Sequence, residues 1–183
     1  MEQQLKHVGK GVIIREWVRF VRPENIWIGN DVMIDDFVLI AGGHEDLTII
    51  EDHVHIACFS SVSGSAGVHF EYGSNSSPGS RIFSSTDDYI HGALINPTFP
   101  EEFRNEKVGR VVLGRFSCLG ANCVVLPGVT IGEGATVGAC SLITEDLEPW
   151  TVNVGIPAKP IKMRNRDEVL RRAEIIARRE QTL

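Results

Sequence analysis

The chain has 183 residues, 43% hydrophobic and 23% charged, enough for one soluble domain with a real core. A formal net charge of −6 gives no reason to expect a nucleic-acid partner. No apolar run approaches the roughly 18 residues needed to span a bilayer. Met1-Glu2-Gln3-Gln4 does not open a signal-peptide apolar region, so no membrane span and a cytoplasmic location are expected.

Taken in order, residues 1–25 read only as degenerate hexads, such as V-G-K-G-V-I from Val8, suited to a terminal capping coil. A six-residue register then becomes clear at Ile28 (I-G-N-D-V-M), Ile34 (I-D-D-F-V-L) and Ile40. It resumes after Gly42-Gly43-His44-Glu45-Asp46 at Ile50, Ile56 and Val62, and again at Phe70, Ser76 and Ile82. Three hexads make one triangular coil, so the interruptions after Ile40, Val62 and Ile82 all emerge at one edge of a prism. The last, 88–110, is the longest, and a loop of that length in a compact domain usually serves function.

From Leu113 to Thr144 the hexads run without a break. Leu113, Leu119, Val125, Ile131, Val137 and Ile143 lead them, Gly stands second in four of the five, and the fifth position is small. A period of six fits neither a helix nor a lone amphipathic strand; it specifies a parallel β-helix. Aliphatic leaders should fill the interior, and the second-place glycines should let the backbone turn. After Leu147-Glu148-Pro149-Trp150 the repeat ends. Asn165 as cap, Asp167 and Glu168 in the first turn and Arg178 and Arg179 in the last predict a helix over 165–183. Val169, Ala173 and Ile176 would share a face able to cover the open end of the β-helix. The expected division is thus a β-helix domain, 1–164, and a C-terminal helix.

Cys58, Cys118, Cys123 and Cys140 show no C-x-x-C spacing and no neighbouring His suited to a metal. Cys123 and Cys140 fall at a small fifth position or a corner, so packed thiols are expected.

The hexads, followed by Gly155-Ile156-Pro157-Ala158-Lys159, resemble the hexapeptide-repeat acyltransferases, and within them the maltose/galactoside O-acetyltransferase branch, over about residues 26–164. The resemblance implies a left-handed β-helix, a homotrimer with sites between subunits, and acetyl-CoA as co-substrate. It also implies general-base transfer, without a metal, to a hydroxyl or amine of a sugar or nucleotide-linked sugar. Ala121, Ala139 and Thr144 fall where the family lays the pantetheine arm, and Lys159, Lys162 and Arg164 where it meets the CoA phosphates. Glu145 stands where Lys is usual. The place of the branch's catalytic His is held by Asp87, and its supporting Asn and Asp fall at Ala57 and Ser65.

Three residues are therefore candidates for the catalytic role. His55, between the inward Val54 and Ile56, should point out from a flat face near the family's Asn position. His44, in G-G-H-E, resembles the His–acid pair of the amino-sugar N-acetyltransferases, two residues off register. Asp87, from an adjacent subunit, would fix the His55 tautomer. Two alternatives stand beside this reading: a non-catalytic scaffold that has lost the family His, and a γ-carbonic-anhydrase-like zinc enzyme, whose usual H-x-x-x-x-H pair is absent.

Overall fold

A computed structural model describes residues 4–180; the ends of the expected 1–164 and 165–183 segments lie outside the described residues. The chain winds into six full coils and a partial seventh, stacked into a triangular prism with three parallel sheets as faces. The first face runs from His7–Val8 through Ile26–Ile28, Thr48–Ile50, Val68–Phe70 and Val111–Leu113 to Thr130–Ile131. The second runs from Ile13–Ile14 through Met33–Ile34, His55–Ile56, Asn75–Ser76, Cys118–Leu119 and Thr136–Val137 to Thr151–Gly155. There the strand Ala158–Met163 adds antiparallel. The third runs from Arg19–Val21 through Leu39–Ala41, Ser61–Ser63, Arg81–Phe83 and Val124–Val125 to Leu142–Ile143. We call the edges between them first (faces one and two), second (two and three) and third (three and one).

The hexad leaders make the core. Leu113, Leu119, Val125, Ile131 and Ile143 are 0% exposed and Val137 4%. The small fifth positions turn inward at the corners, and Ser117, Cys123, Val129, Ala135 and Ser141 are all buried. The second-place glycines have a different task from the one expected. They do not carry positive φ; the turn is made at the fourth position, by Asp31, Phe37, His53, Phe59, Phe116, Asn122 and Cys140 among others. A Cβ on Gly114 would instead stand 2.7 Å from the Ile131 carbonyl oxygen, and one on Gly132 2.6 Å from that of Leu147. The glycines are needed because each coil lies directly on the next.

Residues 5–21 do form a coil. Val8, Ile13, Ile14 and Trp17 stay exposed because only one neighbour lies against this end coil, while Leu5, Val12, Val18 and Phe20 pack on the core. All three interruptions leave at the third edge. The longest starts earlier than its expected bound of 88. Ser84 still donates its N–H to Ser63 O, but Ser85–Asp87 already pairs antiparallel with Glu106–Val108 as the root of a projecting hairpin.

Helix α1 (Arg166–Glu180) begins where expected, with Asn165 Oδ1 accepting the Glu168 N–H at 3.2 Å. Hydrogen bonds from Arg171 and Arg172 pull the Glu168 carboxyl down to about 2. The helix does not cap the open end of the prism. Leu170, Ala173 and Ala177 face Tyr72, Arg115 and Phe116 at the first edge, across a gap of about 350 Å³, and Ile176 remains 48% exposed. Among the described residues no helix is long and apolar enough to cross a membrane.

The fourth coil pairs an oversized leader, Phe70, with an undersized one, Ser76, both 0% exposed, and the Ser76 hydroxyl has no hydrogen-bond partner among the described residues. Phe70→Ala should therefore cost about 3–5 kcal/mol in urea unfolding. Ser76→Ala, which removes an unpaired buried hydroxyl, should cost nothing or add stability. Ile131→Asp should prevent stable folding, since it leaves an unpaired charge in the core.

Candidate active site

Parallel stacking in register places equivalent positions of successive coils in columns. On the second face Met33, His55, Asn75, Cys118 and Thr136 are direct cross-strand partners, and all are outward sixth positions of their hexads. This column makes a polar row. His55 Nε2 lies 3.0 Å from Asp35 Oδ2, and Nδ1 lies 3.1 Å from Asn75 Oδ1. The Asn75 amide nitrogen stands 3.2 Å from Cys118 Sγ and 3.5 Å from Ser77 Oγ. The His55 side chain is 41% exposed and that of Asp35 27%, so the row is open to a ligand. Both ring nitrogens face oxygens, so the ring is held in one orientation and an imidazolium formed there has two acceptors. Such a group, oriented by a carboxylate, is suited to general-base work.

Asp87 stands elsewhere in the chain, on the hairpin root at the third edge. Its Oδ1 lies 4.0 Å from Arg104 Nη2, and Arg104 also bonds Glu106 at 2.9 Å. Within one chain Asp87 does not meet His55; the acid at the His55 ring is Asp35. His44 lines a cavity of about 700 Å³ beneath the hairpin with Ser65, Arg104, Asn105 and Glu106. The buried Ser65 Oγ and Arg104 Nε have no hydrogen-bond partner there among the described residues. His44 is thus near the hairpin and apart from the His55 row.

Asp88 holds the hairpin's shape. Its carboxylate accepts from the N–H groups of Ile90 (2.9 Å) and His91 (3.2 Å) and from the Asn105 amide (3.0 Å). These bonds, the Ile90 N–H foremost and then Asn105, hold its carboxyl well below the usual carboxylate range.

The residues expected to meet CoA divide among three places. Ala121 and Ala139 lie on the second edge, where the corners stack through Asn122 N–H to Pro78 O (2.9 Å) and Cys140 N–H to Ala121 O (2.8 Å). Ala139 and Cys140 are exposed there, leaving a shallow track without bulky side chains. Lys159 and Lys162 stand exposed on the strand that extends the second face. Lys159 Nζ lies 3.4 Å from Glu145, a surface pair weak enough to yield to a phosphate. Thr144 is exposed beside Glu145 at the third edge, off the track. Arg164 is committed to the first edge, where Nη1 donates to Phe116 O (2.7 Å) and Gly134 O (3.0 Å).

The four cysteines are free. Cys123 is buried and burial pushes its thiol up, whereas Cys140, expected to be packed, is exposed because its corner side chain points away from the prism. Among the described residues no group of three or more His, Cys, Asp or Glu could hold a metal ion. Sequence reading missed Asp35, Asn75 and Ser77. Aligning the sixth positions of the second-face hexads would have found Asn75, two coils being 20 residues apart here.

Because the Asp88 carboxyl is depressed on folding, its contribution is fully present above its unfolded value, roughly pH 4, and is lost only as pH falls through the folded one. The Ile90 amide resonance should hold constant from pH 7 to about 4 and shift only in stronger acid, while Asp88→Asn should move it at neutral pH.

Known proteins share this repeat and this fold. The model for "Bacterial transferase hexapeptide (six repeats)" matches residues 110–145. The dTDP-4-amino-4,6-dideoxy-D-glucose acyltransferase of Escherichia coli is 41% identical over 165 residues, 90% of this chain and 85% of that protein. A chloramphenicol acetyltransferase of Klebsiella aerogenes is 44% identical over only 63 residues, 34% of this chain and 30% of that protein. The structure of AntD, an N-acyltransferase from Bacillus cereus bound to dTDP and 3-hydroxybutyryl-CoA, superimposes with a TM-score of 0.90. It is 34% identical, over 96% of this chain and 92% of AntD. With two such relatives matched along nearly their whole length and the repeat itself recognised, this chain belongs to the hexapeptide-repeat acyltransferases.

Proposed function

We propose that the chain transfers an acyl group from acyl-CoA to the amine of a nucleotide-linked amino sugar, at a site shared between copies of a homotrimer. The likeness to AntD, over 94% of this chain, carries this reading: a serine variant of AntD has been solved with CoA and dTDP-4-amino-4,6-dideoxyglucose together. AntD has also been solved with a serine replaced and, separately, with an aspartate ten positions further on replaced. A serine followed at that spacing by an aspartate occurs once in this chain, at Ser77 and Asp87. Ser77 ends the polar row of the second face, and Asp87 stands at the hairpin root. These places lie apart in one chain and can face each other only between chains.

In this reading CoA lies along the second edge, its pantetheine arm over Ala139 and Ala121, its phosphates at Lys159 and Lys162 and its thioester at the level of Ser77. Asp87 of the neighbouring copy binds the acceptor amine. His55, oriented by Asp35, takes a proton from the nitrogen as that nitrogen bonds to the thioester carbon. The C–S bond then breaks, and the departing thiolate recovers a proton from the imidazolium. Acetyl-CoA is the first donor to test, with 3-hydroxybutyryl-CoA beside it. The cytoplasm, where four free thiols persist, is the proposed compartment.

Mixing the protein with either donor and dTDP-4-amino-4,6-dideoxyglucose should release CoA thiol only when both substrates are present. Absence of release across a panel of nucleotide-linked amino sugars would refute the reading. His55→Ala should lower turnover by on the order of 100-fold, and Asp87→Asn should lower it with a rise in the acceptor KM. Charge reversal at Lys159 and Lys162 should raise the donor KM and leave the acceptor's unchanged.

A further inference from the structure

The second edge carries a large ring on each of its first three corners and none on the next three. Trp17, Phe37 and Phe59 occupy the former, and Gly79, Asn122 and Cys140 the latter. The three ringed residues are 60%, 54% and 58% exposed, so they add little to the core. Their rings stack nearly parallel, at interplanar angles of 8° and centroid distances of 6.3 and 5.0 Å. Phe37 and Phe59 also sit at φ +60 and +59, the left-handed region that glycine and asparagine enter most easily. Rings held outward against backbone preference call for a use at the surface.

Phe59 is the ring at the boundary. Backbone hydrogen bonds stack the corners on one another: Gly79 N–H donates to Cys58 O, Asn122 N–H to Pro78 O and Cys140 N–H to Ala121 O. Ala139, Ala121, Pro78 and Cys58 therefore follow one another down a single column. The Phe59 ring stands beside that column at the level of Cys58, one rung below Ser77-Pro78-Gly79. Two contacts fix it there. Phe37 backs the ring from the coil below. Arg81 Nη1 donates to the carbonyls of both Phe59 and Gly79, tying the two corners together. The residue between Ser77 and Asp35 in their own column is Ala57, so no bulky side chain fills the ring's level on that side.

We propose that Phe59 closes the lower end of the donor track and limits the length of the acyl group transferred. The proposal rests on the reading that CoA lies along this edge with its thioester level with Ser77. An acyl chain that continues down the track then enters a notch bounded by Ala57, Cys58 and the face of Phe59 turned away from Phe37. One rung is about 4.8 Å. An extended chain advances roughly 3.3–3.6 Å for every three bonds, so about four bonds fill the rung. Acetyl and 3-hydroxybutyryl groups fit within it, whereas a hexanoyl group meets the ring. The bonds made and broken stay the same; Phe59 decides which donor is accepted.

The test compares acetyl-, 3-hydroxybutyryl-, hexanoyl- and octanoyl-CoA on the wild type, Phe59→Gly and Phe59→Asn, two replacements that suit the corner's positive φ. Circular dichroism and sedimentation accompany each variant. Calorimetry reads the binding of each thioester and of CoA itself, and CoA release with dTDP-4-amino-4,6-dideoxyglucose reads turnover. The wild type should use hexanoyl-CoA about 10-fold less well than acetyl-CoA in kcat/KM. Each Phe59 variant should bind and use hexanoyl-CoA about 10-fold better than the wild type, with CoA affinity and acetyl transfer within about threefold of it. Trp17→Ala, two rungs further down, should leave the donor order unchanged. A wild type that takes octanoyl-CoA as readily as acetyl-CoA, or Phe59 variants that lower every donor alike, would overturn the proposal. So would a Phe59 variant whose sedimentation changes while its donor order does not, because the rings would then serve a contact between chains. If the variants shift thioester binding as expected but no donor yields free CoA with any nucleotide-linked amino sugar, Phe59 keeps its place and the reaction proposed above falls.

Discussion

Everything in this molecule depends on the direct stacking of one coil on the next at the spacing of parallel strands, about 4.8 Å. Gly114, Gly120 and Gly132 show how close that approach is, since a Cβ at each would stand 2.6–2.8 Å from backbone atoms of the next coil. Once coils lie in register, every sequence position becomes a column. Leaders form the core, fifth positions fill the inner corners, fourth positions turn the chain, and sixth positions line the faces. A site on such a scaffold is built by changing the residues of neighbouring columns over two or three coils. Asp35, His55, Asn75 and Ser77 arise in this way, from three successive coils.

The three edges have separate uses. The first is sealed by Arg164, whose guanidinium holds two backbone carbonyls, and is flanked by helix α1. The third lets the chain leave and return without disturbing the stack, which is why a hairpin of more than twenty residues fits between Ser84 and Arg110. The second changes character along its length: rings at Trp17, Phe37 and Phe59 give way to Gly79, Asn122 and Cys140. The bare half leaves the backbone open to close approach, and the ringed half does not. The polar row opens beside the junction of the two halves.

Much of this was legible in the sequence, because the fold reuses one short rule. Hexad leaders located the core, and the interruptions after Ile40, Val62 and Ile82 located the third edge. What stayed hidden depends on pairing between distant positions. Nothing local in S-S-T-D distinguishes a continuing coil from the first strand of a hairpin; the partner Glu106–Val108 decides it. His55 was legible as an outward residue, but its partners stand 20 residues away on either side. Arg164 was assigned to the CoA phosphates by the family resemblance alone, and its carbonyl partners at the first edge become visible only once the coils are stacked. The glycines were recognised for their place in the hexad, but their role follows from the coil above rather than from their own φ.

The proposed reaction needs His55 of one copy and Asp87 of another in one site. Mixing His55→Ala and Asp87→Asn chains, unfolding and reassembling them together, and measuring CoA release tests it most directly. In randomly mixed trimers about a quarter of the junctions pair an intact His55 with an intact Asp87 across the interface, so about a quarter of wild-type activity should return. If the two residues served one site within a single chain, every site in the mixture would carry a defect, and activity no greater than that of the separate variants would contradict the account.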